Sequence, residues 1–94
     1  MPAYSMVHID VHDADEYAKY VEIAGPAVQQ YGGEFLARGG EAVQMEGEGR
    51  ARNVIVKWPD LKTAKAFYTS PEYQKALSFG LPASTREYTI VEGV

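Results

Sequence analysis

Two segments of this chain alternate apolar and polar side chains with the period of two that a half-buried β-strand requires. Residues 3–11 place Ser5, Val7, Ile9 and Val11 on one face and Tyr4, Met6, His8 and Asp10 on the other. Residues 53–58 repeat the pattern, with Val54, Val56 and Trp58 opposite Asn53, Ile55 and Lys57. Each strand therefore offers one clearly apolar face, which we expect helices to cover.

A long helix is predicted after the first strand, over residues 14–31. Asp13 and Glu16 have the spacing of a capping box, and the acidic first turn complements the helix dipole. Gly25-Pro26 is expected to bend or interrupt this helix, and Gly32-Gly33 to end it.

The remaining elements follow from turn and capping residues. A second strand is expected over residues 34–38, broken at Gly39-Gly40 and resuming over 41–46. Asp60 can cap a short helix, and Ser70-Pro71 can begin another that ends at Gly80 and Pro82. Residues 86–92 alternate as a last strand.

This order, β-α-β-β-α-β, predicts an α+β fold of the ferredoxin-like kind, as one domain over residues 1–94, with an antiparallel sheet and helices on one face only. The other face is too apolar to be left bare and too polar for a simple core. A chain this short also has a marginal core of its own. We therefore expect a homodimer through the open sheet face, closing a barrel-like cavity between subunits.

Composition excludes several function classes. The sequence has no cysteine, which removes disulfides, thiolate metal sites and thiol nucleophiles and fits a cytoplasmic location. The net charge is −4 with no basic stripe, so nucleic-acid binding is not expected. No apolar run approaches the ~20 residues of a membrane span, and no export signal is evident.

A metal site is not predicted either, although His8, Asp10 and His12 share one face of the first strand. Same-face neighbours on a strand are about 7 Å apart, so one metal ion cannot easily bind all three side chains. No cofactor is expected.

Three residues are candidates for binding a ligand. Histidine is the side chain suited to general-base catalysis near neutral pH, and His8 is expected to face the space between subunits, which makes it the first choice for a general base. Arg38 could clamp a carboxylate, or instead pair with Glu34, Glu41 or Glu46. Tyr73 could be core or could turn its hydroxyl into the cavity. Ser70 is interpreted as a helix cap rather than a nucleophile.

The predicted ligand is a small, largely apolar molecule with an anionic group. It would lie against the open sheet face, with Arg38 at the rim, His8 within, and Tyr4, Met6, Ile55 and Tyr88 as the surrounding surface.

Four short motifs, in order, resemble the bacterial family catalogued as domain of unknown function 1330. They are the stretch from Tyr31 to Gly40, then Glu46-Gly47, then Ser70-Pro71-Glu72-Tyr73-Gln74, and finally Val91-Glu92-Gly93. The resemblance implies a dimeric α+β barrel and no established activity. The chain departs from the family pattern at residues 78–81, where an arginine would be expected.

Two function classes remain open. One is a small-molecule-binding protein or cofactor-free enzyme that uses the cavity; similar folds host cofactor-free monooxygenases and isomerases. The other is a non-catalytic accessory or protein-interaction module in which the tyrosines only pack the dimer.

Overall fold

A computed structural model describes all residues, 1–94, as a four-stranded sheet and three helices. In chain order the elements are β1 (Ala3–Val11), α1 (Ala14–Gln30), β2 (Glu34–Arg38), β3 (Arg52–Trp58), α2 (Leu61–Tyr68), α3 (Pro71–Gly80) and β4 (Ser84–Glu92). All neighbouring strands are antiparallel, in the order β2-β3-β1-β4. The predicted ferredoxin-like α+β arrangement is confirmed.

The helices begin where the sequence places their caps. The side chains of Asp13, Asp60 and Ser70 each accept a hydrogen bond from the backbone N–H three residues later, at the start of α1, α2 and α3. Each bond satisfies a donor that the first helical turn leaves without an intrahelical partner. None of the three helices is long and apolar enough to cross a membrane.

The core lies between the helices and the apolar face of the sheet, as the alternation predicts. Val7, Ile9, Val56 and Trp58 are all buried there. Trp58 stacks near Phe67, with ring centroids 4.7 Å apart. The Trp58 indole donates a 2.9 Å hydrogen bond to Ser5 Oγ, so the polar atoms of these two buried side chains are paired.

Two sequence predictions are wrong. Helix α1 runs without interruption from Ala14 to Gln30 and contains Pro26. Proline removes the hydrogen bond to the carbonyl of Glu22, but both residues are exposed, so that carbonyl can be solvated. The predicted second half of the second strand, residues 41–46, has no strand structure, because it forms no ladder with any neighbour.

The segment Gly39–Ala51 is instead a long exposed loop between β2 and β3. Val43 and Met45 in this loop are 73% and 84% exposed. Its C-terminal end, just before β3, is bonded to β1, where Asp10 accepts hydrogen bonds from Ala51 N at 3.0 Å and Arg50 Nη1 at 2.9 Å. An exposed loop with two large apolar side chains is a surface that a partner can cover.

Candidate functional site

An apolar cavity lies between α1 and the helix-covered face of the sheet. Thirteen of its sixteen lining residues are hydrophobic, and its only charged lining residues are Arg38 and Arg52. Its volume is about 60 Å³, below the ~300–1,000 Å³ of typical ligand sites. A ligand larger than a few atoms would therefore need the side chains around the opening to move.

Arg38 reaches this cavity because of an irregularity in β2. Phe35 pairs with Val56 and Ala37 with Ile55, so Leu36 is an extra residue between them. A bulge of this kind reverses the faces of all residues that follow it. Arg38 is consequently opposite Val54, on the helix-covered face, rather than on the open face.

Arg38 and Arg52 have no carboxylate partner. The ion pairs of the structure involve Lys19 and Arg50, so the predicted alternative pairing of Arg38 with a glutamate is not formed. The Arg38 guanidinium instead lies 4.4 Å from the centroid of the Phe35 ring. Arg52 has a buried Nε with no hydrogen-bond partner in the protein, and its guanidinium lies against Gly39. Arg38 is exposed to solvent and Arg52 is half-buried. Two neighbouring cations at the edge of an apolar cavity favour an anion between them.

Tyr73 belongs to the hydrophobic core and also lines the cavity. It is 1% exposed, it lines the cavity, and its hydroxyl is 2.8 Å from the Tyr20 hydroxyl. Arg86 Nη2 donates to the Tyr73 hydroxyl at 2.7 Å and to that of Tyr20 at 3.2 Å. This Arg86–Tyr20–Tyr73 cluster contains no carboxylate.

The pKa shifts in this region keep Tyr73 and Tyr88 neutral and Arg86 charged. Burial raises the pKa of Tyr73 well above its usual value and that of Tyr88 to about 12. Burial acts to lower the pKa of Arg86, but the neighbouring oxygens of Tyr20 and Tyr73 outweigh it, so the net shift is upward. At neutral pH Tyr73 and Tyr88 are therefore neutral and Arg86 is positively charged.

His8 lies on the opposite face of the sheet from Arg38 and Tyr73. Its Nδ1 is 2.7 Å from Asn53 Oδ1, and it is half-buried. Asp10 binds Arg50 and Ala51, while His12 Nε2 is 2.5 Å from Thr85 Oγ1, so these three side chains have separate partners. The structure does not bring His8 and Arg38 together.

Tyr88 was predicted on the open face, and this prediction is wrong. It is opposite Val7 in the β1–β4 pairing, so it lies under the helices, where its hydroxyl is 2.9 Å from Ser5 Oγ. The face of each β4 residue depends on its pairing with β1, which alternation within β4 alone does not specify.

Sequence reasoning missed Arg52 and Arg86, although a signal for both exists. Arg52 is two residues before Val54, and Arg86 is two residues before Tyr88, so strand periodicity places each on the face of that neighbour. Both are paired with Ile9, from opposite sides of β1. An arginine at an apolar strand position was the available indication of a binding site.

A family model described as "Domain of unknown function (DUF1330)" matches residues 2–94. The chain belongs to this family, as its motifs indicate, and the family has no assigned function. No curated protein matches the chain significantly.

Solved structures show the same fold at low sequence identity. A protein of unknown function from Rhodopseudomonas palustris is similar with a TM-score of 0.79 and 17% identity, over 99% of this chain and 82% of that one. A dimeric ferredoxin-like protein of unknown function from Jannaschia sp. CCS1 has a TM-score of 0.79 and 14% identity, over 99% and 100%. SnoaB from Streptomyces nogalater, described as a cofactor-independent oxygenase, has a TM-score of 0.69 and 14% identity, over 99% and 93%.

Proposed function

We propose that this member of the DUF1330 family binds a small, largely apolar anion in the cavity between α1 and the sheet. The observation that carries the proposal is the pair Arg38 and Arg52, which lines an apolar cavity without any carboxylate partner. The anionic group would bind these two guanidiniums, and the apolar body would contact the surrounding aliphatic and aromatic side chains. This location replaces the open sheet face that the sequence suggests for the ligand.

The geometry favours an anion for an electrostatic reason. Arg38 and Arg52 are on adjacent strands, and Arg38 is opposite Val54, two residues from Arg52 on the same face. Two like charges at this spacing repel one another, and solvent screens the exposed Arg38 more than the half-buried Arg52. A bound carboxylate would relieve the repulsion and would accept hydrogen bonds from both side chains, including the buried Arg52 Nε.

The same protein is proposed to be a homodimer through the open sheet face. Similar structures include proteins described as dimeric, which supports self-association. Met6 and Ile55 are 37% and 36% exposed on that face, and the apolar side chains of the loop 39–51 extend the exposed surface. His8 would then face the partner subunit and not the proposed anion, so a role for His8 as a general base would belong to a separate site.

Binding of benzoate, compared with the neutral benzamide, tests the anion proposal. In a titration followed by NMR, benzoate should shift residues of α1 and β2, and Arg38→Ala should weaken its binding roughly ten- to a hundred-fold, as expected for loss of a charged hydrogen bond. Binding of benzamide should be unchanged. Lys62→Ala, on the exposed side of α2, removes the same charge elsewhere and is the control.

Benzoate binding that is unaffected by both Arg38→Ala and Arg52→Ala in folded protein would contradict the proposal. If no aromatic probe, charged or neutral, shifted the cavity residues, the accessory-module interpretation would replace it.

A further inference from the structure

The Arg86–Tyr20–Tyr73 cluster has more hydrogen-bond donors than acceptors. Arg86 Nη2 donates to both tyrosine oxygens, and the two hydroxyls share one further hydrogen bond. Only one of the two hydroxyl protons can lie between the oxygens, so the other has no acceptor in the cluster. Arg86 Nη1 is also buried, and no protein atom accepts a hydrogen bond from it.

The free hydroxyl proton is best assigned to Tyr20. Both tyrosines line the cavity, but Tyr73 is 1% exposed whereas Tyr20 is half-buried, so only the Tyr20 hydroxyl has solvent or a ligand within reach. If Tyr73 donates to Tyr20, the Tyr20 hydroxyl keeps its own proton for an acceptor that enters the cavity. The Arg86 guanidinium, 4.8 Å from the Tyr20 ring centroid, strengthens this donor by withdrawing electron density from the phenol oxygen.

Two members of the cluster, Tyr20 and Tyr73, line the same cavity as Arg38 and Arg52, whereas Arg86 is not a lining residue. Arg52 and Arg86 are both paired with Ile9, one on each side of β1. Since neighbouring strands lie about 4.8 Å apart, their backbones are about 10 Å apart across the sheet. Because the cavity volume is about 60 Å³, side chains around the opening would have to move before one small molecule could contact the Arg38–Arg52 pair with one end and Tyr20 with the other.

We propose that the Tyr20 hydroxyl, positioned by Arg86 and Tyr73, is a second polar subsite that binds an oxygen acceptor of the ligand, such as a carbonyl or enolate oxygen. This inference rests on the proposed function and specifies its ligand class: an apolar molecule with an acidic group at one end and an acceptor oxygen at the other. Arg86 is half-buried and donates to the Tyr20 oxygen, so this arrangement would also stabilise negative charge that develops on an oxygen bound by the Tyr20 hydroxyl.

Two matched probes test the subsite. 4-Acetylbenzoate carries a carbonyl oxygen, and 4-isopropenylbenzoate has the same shape with a methylene group in place of that oxygen. Wild-type protein should bind the acetyl compound up to roughly ten-fold more tightly, as one hydrogen bond between neutral groups allows. Tyr20→Phe should reduce this ratio to about one, while both compounds keep their dependence on Arg38. Arg86→Met, where it folds, should also lower the ratio.

Tyr31→Phe is the control, because the Tyr31 hydroxyl donates to Glu72 and Tyr31 is not among the residues that line the cavity. Its affinity ratio should equal that of the wild type. Taking the ratio of the two affinities within one protein cancels general effects of a substitution on folding.

An unchanged ratio in Tyr20→Phe, with both probes still dependent on Arg38, would overturn the subsite and leave the anion site standing. If wild-type protein bound neither probe, the proposed function itself would be overturned. Benzoate binding that depended on Arg86 but not on Arg38 would overturn the assignment of both ends.

Discussion

At the scale of single residues, Ser70 connects two helices through one hydroxyl. Its Oγ donates to the carbonyl of Phe67 at 2.7 Å, at the end of α2, and accepts from Tyr73 N at 3.2 Å, in the first turn of α3. Ser70 is buried, so water cannot easily replace either bond. The capping interpretation from the sequence is confirmed.

Ser70→Ala should therefore reduce stability while leaving ligand binding intact. We expect a loss of about 1 kcal/mol in the free energy of unfolding, typical of a removed helix cap. Urea denaturation measures it, with Ser78→Ala as the control, because Ser78 is exposed and bonds only to the carbonyl of Lys75. Benzoate binding by folded Ser70→Ala protein should match the wild type; its loss would give Ser70 a role beyond capping.

At the scale of elements, the loop 39–51 depends on a few contacts at its far end. Asp10 on β1 accepts from Ala51 N and Arg50, and Arg50 Nη2 also donates to Glu87 on β4 at 3.2 Å. The hydrogen bond from Ala51, followed by that from Arg50, lowers the pKa of the Asp10 carboxyl below its usual range. The loop is therefore fixed by a charge on the open face of the sheet.

The lowered pKa sets the direction of a pH effect. A carboxyl with a depressed pKa in the folded state adds stability above its unfolded pKa of about 4, and this stability is lost as the pH falls through the folded pKa. Asp10→Asn should thus be less stable than the wild type at pH 7, and the difference should shrink below about pH 4.

Urea denaturation at pH 7 and below about pH 4, at one fixed protein concentration, measures the difference in stability between Asp10→Asn and the wild type. Glu48→Gln, an exposed loop residue, is the control and should show no such dependence. A difference between Asp10→Asn and wild type that stayed constant down to pH 2 would show that the carboxylate charge does not hold the loop.

At the scale of the whole molecule, the two faces of the sheet differ in what covers them. Helices cover one face and enclose the cavity, while the other exposes Met6 and Ile55 among polar neighbours. A small domain with an uncovered, partly apolar face gains stability when a second copy buries that face. The proposed dimer and the proposed ligand therefore use opposite sides of one sheet.

Met6→Asp and Ile55→Asp should both give monomers or unfolded protein, because burying an unpaired carboxylate in an interface is strongly unfavourable. Leu81→Asp is the matched control, since Leu81 is 52% exposed beyond the end of α3, away from the sheet face, and this variant should stay dimeric. Sedimentation equilibrium at micromolar concentration measures the mass. Wild-type protein that sediments as a monomer would contradict the proposed dimer.

The sequence by itself determined where the helices begin and which faces of β1 and β3 are buried, because strand periodicity and capping are local properties of the chain. Asp13, Asp60 and Ser70 start helices where their side chains predict, and Val7 and Val56 are buried as their alternation requires. Tyr73 and Arg38 are candidate site residues from the sequence, but the sequence places their cavity at the open face of the sheet and not under the helices.

Only the tertiary structure decided which side of the sheet each candidate faces and which candidates meet. The extra residue Leu36 turns Arg38 towards the helices, and the pairing of β4 with β1 places Tyr88 and Arg86 on that same side. Both facts depend on the register between strands far apart in sequence, and a shift of one residue exchanges the faces. His8 and Arg38 are separated, while Tyr20, Tyr73 and Arg86 are joined, because long-range pairing and packing set these distances and local patterns do not.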